Sequence, residues 1–463
     1  MYVDFRWVGK LERGEHRWPS EERRAALRMV LGTVTDVDLG LYIPRRSASH
    51  QTGVVGRQLA PAETQCGLIP DSDLLQLGTS ALGRHLLSDR DRSLGRSISA
   101  PQGQHFPGTT IDVEVYPAVD DGRVLATISR GDIEQLWRRS VQRRLILGHV
   151  GASERAGVFA LDSRRAYRHL VDAGRGARLL IPRVYQLDAI TAGVLWAVAN
   201  LDLSLLLDDA RLEAAHTATS AFRDMTRSAA SRDIAGDLDP PSRLWLGSVF
   251  CADHIRRHYH VLSDMPVYWT REQRGEEAST WLLFSHKLRY LRESAERFRR
   301  ASQPTTRMFC LPAQAVAASS ISERILLLLA MALMESLGIR TAVTDDPEYA
   351  ALPGLVMDKQ RAIQATWIRA DGLWHVDVTD HRGTIAAYRD ALGHVQAHSA
   401  TADNTPARRL RQLAEYLHLD WRWLQRRCAD LGQYGFAGLA EPRSRLLSLD
   451  GVDQACRFIG TLP

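Results

Sequence analysis

Lysine is nearly absent from this chain of 463 residues: Lys10, Lys287 and Lys359 are the only lysines among 59 basic residues. Cysteine is also scarce, and the five cysteines are scattered without any CxxC spacing, which excludes a zinc ribbon and indicates reduced thiols. The longest apolar run, Ile325 to Met334, is about half of the ~20 residues that a membrane-spanning helix needs. These absences exclude disulfide-scaffold and integral membrane proteins. The 45% of apolar residues is typical of a globular protein.

The N-terminal residues are charged throughout and lack the apolar segment of a secretory signal, so we expect a cytoplasmic protein. The net charge of +5 is weak evidence for nucleic-acid binding, because local clusters of basic residues matter more than the total. The sequence contains no Walker-type loop, no GxGxxG motif and no repeat of fixed period. We therefore expect no cofactor.

Length and residue pattern predict a mainly α-helical protein with a smaller α+β part. At about 150 residues per domain, the length corresponds to roughly three domains. We expect a partial helix-turn-helix domain, a linker, a hairpin with a helical domain, an α+β domain and a C-terminal helical segment. Their predicted ranges are 1–43, 44–108, 109–235, 236–400 and 401–463.

Apolar periodicity supports these assignments. Alternating apolar residues on both sides of Asp120-Asp121-Gly122 predict a β-hairpin. Helices are expected to fill about 131–230. Residues 242–400 are expected to mix helices with strands, for example at 340–344, 365–370 and 374–378.

The N-terminal segment VDFRWVGKLERGEHRWPSEERRAALRMVLG is typical of two short helices joined by a turn. The apolar residues 3, 8 and 11 share one face of the first helix, because spacings of five and three are near multiples of 3.6. Gly14 is placed to end this helix, and Pro19 to begin the next, whose apolar face would include Ala26 and Leu27. The first helix could lay its basic face in a DNA major groove.

This segment resembles the second half of a lambda-repressor-like, XRE-type DNA-binding domain, in which a recognition helix precedes an ErG-type turn, a proline and a helix ending in LG. The positions that carry the resemblance are Glu12, Arg13, Gly14, Pro19, Leu27, Leu31 and Gly32. It implies that side chains of the first helix face bases or phosphates of double-stranded DNA, and that two arginines face its backbone. The side chains that would face bases or phosphates are Asp4, Phe5, Arg6 and Lys10. The arginines that would face the DNA backbone are Arg13 and Arg17.

The family has two helices before the recognition helix, whereas this chain begins at the recognition helix itself. A start codon assigned too late or a truncated DNA-binding domain would explain the difference. The alternative is an N-terminal helix pair without a DNA role.

A second candidate for DNA binding is RLRQLAEYLHLDWRWLQRRCADLGQYGFAGLAEPRSR, near the C-terminus. It predicts a helix, a break before Asp420 as N-cap, and a second helix. The pattern is similar to helix-turn-helix units in transposase-like and repressor proteins. Arg422, Gln425 and Arg426 would lie on the exposed face of the second helix. A plain helical hairpin with a solvated, Arg-rich face is the alternative that we favour.

Residues 319–382 resemble the core of transglutaminase-like, papain-related domains, through a helix, LGIRTAV and ATWIRADGLWHVDVTD. In that family a cysteine at a helix N-terminus, a strand histidine and an aspartate form the catalytic set. Asp377 occupies the aspartate position, but the cysteine position falls near Ser322 or Glu323 and the histidine position near Gln364. The resemblance therefore implies a non-catalytic relative, and any buried α/β layer remains an alternative.

The group Cys251, His254, His258 and His260 has one metal-like spacing, because His254 and His258 lie four residues apart on one helix face. No distant fourth ligand is evident, and surface histidines on an Arg-rich helix are the interpretation we favour. We therefore predict no metal site and no catalytic residues.

Two longer stretches, IPRVYQLDAITAGVLWAVANLDLSLLLDD and DMPVYWTREQRGEEASTWLLFSHKLRYL, resemble large actinobacterial XRE-type regulators. In these, a short DNA-binding domain precedes a large domain of unknown ligand. The sequence thus predicts a non-enzymatic, homodimeric transcriptional regulator that senses a small molecule or protein. A protein–protein adaptor and a papain-like, inactive enzyme are the alternatives.

Overall fold

The computed structural model describes residues 25–29, 76–77, 96–128, 143–151, 157–171, 178–222, 225, 228–262, 266–271, 274–298, 305–366 and 373–463. The chain divides into two compact units, Met1–Thr64 and Gln65–Pro463. In the first unit, residues 25–29 are helical, with Ala26 and Leu27 half-buried. This agrees with the helix predicted to follow Pro19.

The second unit contains two seven-stranded sheets. The first sheet has the order β1-β2-β3-β4-β7, while β5 pairs with β3 in parallel and β6 pairs with β5. The predicted hairpin is confirmed as β3 and β4, joined at Asp120-Asp121-Gly122, where Gly122 has a φ of 109°. The strands are β1 Gln76–Leu77, β2 Arg96–Ala100, β3 Thr109–Asp120, β4 Val124–Thr127, β5 Arg144–Val150, β6 Gly157–Asp162 and β7 Arg178–Ile181.

The second sheet has the order β11-β10-β9-β12-β13-β14-β8. Strands β9, β10 and β11 run parallel and are joined by helical crossovers, and β12 returns antiparallel beside β9. Strand β9 therefore has a parallel neighbour on one side and an antiparallel neighbour on the other. The strands are β8 Ser228–Ser231, β9 Val267–Thr270, β10 Thr306–Cys310, β11 Arg340–Thr344, β12 Leu355–Met357, β13 Ala362–Thr366 and β14 Leu373–Thr379.

Helices lie between the sheets and at the C-terminal end of the chain. Helix α8 is buried over most of its length and packs against α2, α5 and α13. The helices are α1 Ser163–Val171, α2 Ala189–Leu207, α3 Asp209–Ser220, α4 Pro240–His258, α5 Gly275–Leu283, α6 Ser285–Phe298, α7 Ala313–Ala318, α8 Ile321–Ser336, α9 Arg382–Ala397, α10 Pro406–Tyr416, α11 Trp421–Tyr434, α12 Ala437–Ala440 and α13 Asp450–Thr461.

The predicted fold class, mainly α with a smaller α+β part, is wrong. Helix makes up 55% and strand 22% of the residues that the structure describes, and both sheets are large and mixed. Strands β5, β6 and β7 lie inside 131–230, which was predicted to be helical. Strand β6 is buried at every position, so its sequence lacks the alternation that distinguishes a strand from a buried helix.

The transglutaminase-like core, part of that fold prediction, is also wrong. The strand register does place Gln364 opposite Asp377 on β13 and β14. However, the helix that packs on these two strands is α4, whereas Ser322, near the start of α8, contacts Gly193 of α2. A helix that is apolar on all sides is stabilised by packing among other helices rather than on one sheet face.

One apolar core joins the first sheet, the central helices and one face of the second sheet. A smaller core, which includes Trp269, Met308 and Ile385, lies on the opposite face under α9. Among the described helices, α2 is long and apolar enough to cross a membrane, but 83% of its most apolar window is buried inside the protein.

Candidate functional site

A cavity of about 80 Å³ lies between the second sheet and helices α4, α5 and α6. Strands β9, β12 and β13 form its floor, where the parallel part of the sheet meets the antiparallel part. Helix α4 contributes Ser248, Cys251 and Ile255 to the wall. At roughly 10–15 Å³ for each water position, the cavity holds a molecule of about five to eight non-hydrogen atoms.

The break between α5 and α6 shapes this cavity. Phe284 leaves the helical conformation and forms an isolated β-bridge with Leu447, so α5 and α6 change direction there. The last turn of α5 then presents Trp281 to the cavity, and the first turn of α6 presents Lys287. The Nζ atom of Lys287 lies 4.2 Å from the Trp281 ring centroid. One continuous helix through this segment would not place these two side chains together, because residues six apart lie on different faces of a helix.

Arg307 of β10 supplies another basic side chain, and Arg271 also lines the cavity. The Arg307 guanidinium lies 4.4 Å from the ring centroid of Tyr268 and 4.9 Å from that of Trp281. The Nη1 atom donates to Thr270 Oγ1 at 3.0 Å, whereas Nε has no hydrogen-bond partner within the described part of the chain. Aromatic faces attract a guanidinium but do not neutralise its charge. Arg307 is therefore a buried cation held by neutral groups.

Lys287 is 2% exposed, and its Nζ atom donates to Thr280 Oγ1 at 2.6 Å. Burial and the nearby charge of Arg307 lower the pKa of Lys287 well below its ordinary value of 10.5, against an opposing effect of Glu277. Burial and Arg307 therefore favour the neutral amine. An anion between the two side chains would favour the charged form.

Arg307 differs from the other buried arginines of the described chain, although Arg143, Arg307 and Arg409 are all 5% exposed. Arg409 forms a bidentate pair with Glu335 at 2.9 and 2.6 Å. Arg143 pairs with two aspartates at 2.6 and 3.0 Å. No carboxylate oxygen in the described residues lies within 4.0 Å of the Arg307 guanidinium. Buried charges normally have such partners, so Arg307 is an exception among the buried arginines of the described chain.

A buried serine–histidine pair adjoins the same cavity. The Ser248 Oγ and His286 Nε2 atoms lie 2.8 Å apart, and His286 Nδ1 has no hydrogen-bond partner among the residues described. Burial, with the charges of Lys287 and Arg289, lowers the pKa of His286 well below its ordinary value. A neutral imidazole can exchange a proton with Ser248. The carboxylate that orients the histidine of a catalytic triad does not accompany this pair in the described chain.

The predicted DNA-binding residues fall into two groups. Asp4, Phe5, Arg6, Lys10, Arg13 and Arg17 lie outside the described residues. In the C-terminal candidate the predicted helix, break and helix are α10, residues 417–420 and α11. Asp420 is confirmed as the N-cap of α11, since it accepts from Trp423 N at 3.0 Å. His418 has a φ of 53°, at the turn position where glycine is usual.

Arg422 and Arg426 of α11 are exposed. Gln425, between them, is half-buried and donates to the Leu462 carbonyl, and Arg427 pairs with Asp188 at 2.6 Å. The basic side chains of α11 thus divide between solvent and internal contacts. The histidine group with metal-like spacing includes His254. Both of its ring nitrogens lie within hydrogen-bond distance of backbone carbonyls, those of Phe250 and Phe222.

Sequence reasoning missed the cationic cavity. Lys287 and Arg307 lie on different elements and have no characteristic spacing. The one available signal was the rarity of lysine, because Lys287 occurs inside an apolar segment of a chain that otherwise uses arginine. Comparisons of the chain with family models, curated proteins and solved structures found no match in any of the three.

Proposed function

We propose that the Gln65–Pro463 unit binds a small organic anion in the cavity of Lys287 and Arg307, and that the protein is a DNA-binding regulator controlled by this ligand. The observation that carries the proposal is the buried Arg307 guanidinium, which no carboxylate of the described chain pairs. An anion would form charge-assisted hydrogen bonds with Arg307, which are about twice as strong as neutral ones.

The size and lining of the cavity narrow the ligand. Trp281, Tyr290 and Leu355 form apolar walls, and the basic side chains of the lining are Arg271, Lys287 and Arg307. This combination of apolar surface and a few placed polar groups is typical of a small-molecule site. We therefore propose a short carboxylate as the ligand, with its apolar part against the aromatic rings.

Thermal unfolding of the full chain with acetate tests this proposal, with acetamide as a neutral control of nearly the same shape. Acetate is expected to raise the Tm, because a ligand at 100 times its Kd stabilises the native state by about 2.7 kcal/mol. Acetamide is expected to have no effect. An equal response to both compounds would contradict an anion site.

Arg307→Met is expected to abolish the acetate effect. The matched control is Arg292→Met, because Arg292 is an exposed arginine of α6 outside the cavity lining. Loss of the acetate effect in both variants would indicate a general charge effect instead of binding at Arg307.

The DNA-binding half of the proposal rests on the resemblance of residues 1–32 to the XRE-type domain. We propose that Arg6 and Lys10 contact DNA in the cytoplasm and that a homodimer binds two half-sites. The alternative is an adaptor that binds another protein. Fluorescence anisotropy with the upstream DNA of the gene and a scrambled duplex, each at two salt concentrations, separates these functions.

Tighter binding to the upstream DNA that weakens steeply with salt would support a regulator. Arg6→Ala with Lys10→Ala is then expected to weaken specific binding by roughly 1–3 kcal/mol for each lost base contact. Lys359→Ala is the control, because Lys359 is exposed in the other unit. Equal affinity for both duplexes would contradict sequence-specific binding.

A further inference from the structure

We propose that Lys287 forms a reversible imine with a small 2-oxo acid, whose carboxylate is held by Arg307. This inference rests on the proposed anion site and names the chemical class of its ligand. The proposed function requires only noncovalent binding of a carboxylate. The inference adds a covalent bond between Lys287 and the ligand.

The choice of residue is the first argument. Arginine outnumbers lysine strongly in this chain, and Lys287 is its only lysine among the buried charged residues of the described part. Arg307 shows that the cavity accommodates a guanidinium. A guanidinium stays charged in proteins, whereas an amine can lose its proton and act as a nucleophile. A lysine in this cavity supplies a reaction that an arginine there would not.

The hydrogen bonds around Lys287 are the second argument. The Thr280 hydroxyl donates its proton to the Glu277 carbonyl at 2.6 Å, so its oxygen accepts from Lys287 Nζ. Lys287 thus uses an N–H group in this bond, and the lone pair of the neutral amine is not consumed by it. Burial and the charge of Arg307 favour that neutral amine, whereas Glu277 and the ligand's carboxylate oppose it, so Lys287 gives up a proton before it attacks.

The arrangement of charge and space is the third argument. Lys287 and Arg307 both contact the ring of Trp281 from the same cavity. A 2-oxo acid carries its carbonyl directly beside its carboxylate, so Arg307 would hold the carboxylate while the carbonyl carbon faces the amine. Pyruvate, with six non-hydrogen atoms, falls within the size that the cavity holds.

The reaction balances without an oxidant or a metal. The Lys287 nitrogen of the neutral amine attacks the carbonyl carbon and loses one proton, which the carbonyl oxygen takes up to give a carbinolamine. The nitrogen then loses its second proton, the hydroxyl leaves with that proton as water, and a C=N bond replaces the C=O bond. Water reverses the reaction, so the ligand can be released. The His286–Ser248 pair beside the cavity can carry the protons.

Reductive trapping of the full chain with pyruvate and cyanoborohydride tests the inference. The hydride converts the imine to a stable secondary amine, which peptide mass spectrometry locates. We expect the adduct on Lys287. Lys359 is an internal control, because it is exposed and senses nonspecific labelling. Acetone is the matched ligand, since it has a ketone without a carboxylate. Its adduct is expected to be at least about tenfold less abundant, as loss of a charged hydrogen bond implies.

Two variants complete the experiment. Arg307→Met retains the amine and is expected to reduce the pyruvate adduct to the level of acetone. Lys287→Met replaces the amine by an apolar chain of similar length and is expected to abolish the adduct, with circular dichroism confirming that the variant is folded. Labelling of Lys287 and Lys359 to equal extents would overturn the inference.

The outcome also separates this inference from the proposed function. Absence of a Lys287 adduct, together with an intact effect of acetate on Tm, would overturn the imine and leave the anion site. Absence of both would overturn both. An adduct that pyruvate and acetone form equally well would overturn the role of Arg307.

Discussion

Arg307 and Arg409 are equally buried, yet the structure surrounds them differently. Arg409 of α10 meets both oxygens of Glu335 on α8, and one of these oxygens also accepts from the backbone and side chain of Thr341. Arg307 of β10 has aromatic rings and one threonine hydroxyl. The first arginine completes a closed network that joins two helices and a strand. The second faces open space.

The comparison separates a buried charge that the fold itself neutralises, at Arg409, from one that we propose a ligand neutralises, at Arg307. Desolvation of a guanidinium costs several kcal/mol, and a well-placed carboxylate offsets this cost. Arg143 is likewise paired with carboxylates inside the protein. The cavity beside it is about 10 Å³, enough for one water. Of these two cavities, the one at Arg307 combines a buried cation with room for a ligand.

The same substitution at Arg409 and Arg307 is expected to give the largest difference in stability. Arg409→Met leaves Glu335 buried without its partner and is expected to lower the free energy of unfolding by about 3–5 kcal/mol. Arg307→Met is expected to change it by less than about 1 kcal/mol, because lost ring contacts are offset by removal of an unpaired charge. Urea denaturation measures both values. Equal losses would show that Arg307 is structural.

The pH dependence of stability sharpens the comparison at Lys287. Because the folded-state pKa of Lys287 lies below its ordinary 10.5, the unfolded chain binds more protons between these two values. The free energy of unfolding therefore rises with pH in this window, by at most about 1.4 kcal/mol per pH unit for one proton. Lys287→Met should lack this contribution.

Urea denaturation between pH 7 and 9.5 compares the wild type with Lys287→Met. Groups other than Lys287 contribute equally to both proteins, so the difference in slope belongs to Lys287. Saturating acetate should flatten the wild-type slope, because an anion raises the pKa of Lys287. Identical slopes in the two proteins would contradict a depressed pKa.

The smallest effect is expected at an exposed ion pair. Arg168 and Glu441 lie 3.2 Å apart, and their side chains are 58% and 46% exposed. Glu441→Gln should change the free energy of unfolding by less than about 0.5 kcal/mol, because water screens such a pair. Urea denaturation again measures this. A loss comparable to that of Arg409→Met would show that burial does not explain the difference between the sites.

Local patterns of the sequence predicted several elements correctly. The β3–β4 hairpin, strand β11 and the Asp420 cap depend on residues close in the chain, and all three are present. Sheet content was underestimated, since strands such as β5 and β6 are buried on both faces and lose their alternation. Their pairing partners are set by packing between distant segments.

The cavity could not be predicted for a related reason. Its Arg307 and Lys287 come from β10 and α6, and the break at Phe284 that orients Lys287 depends on a contact with Leu447. The sequence cannot show that Arg307 lacks a carboxylate partner, because only the folded structure determines which carboxylates lie near it. The sequence shows that lysine is rare, which draws attention to Lys287. Only the structure shows that Lys287 is buried beside a cavity.

Anomalous diffraction from crystals grown in bromide tests the central claim most directly. Bromide is an anion small enough for the cavity and visible by its own scattering. We expect an anomalous peak inside the cavity, against the Arg307 guanidinium, that disappears in Arg307→Met crystals. Bromide peaks on the protein surface with none in the cavity would contradict an anion site between Lys287 and Arg307.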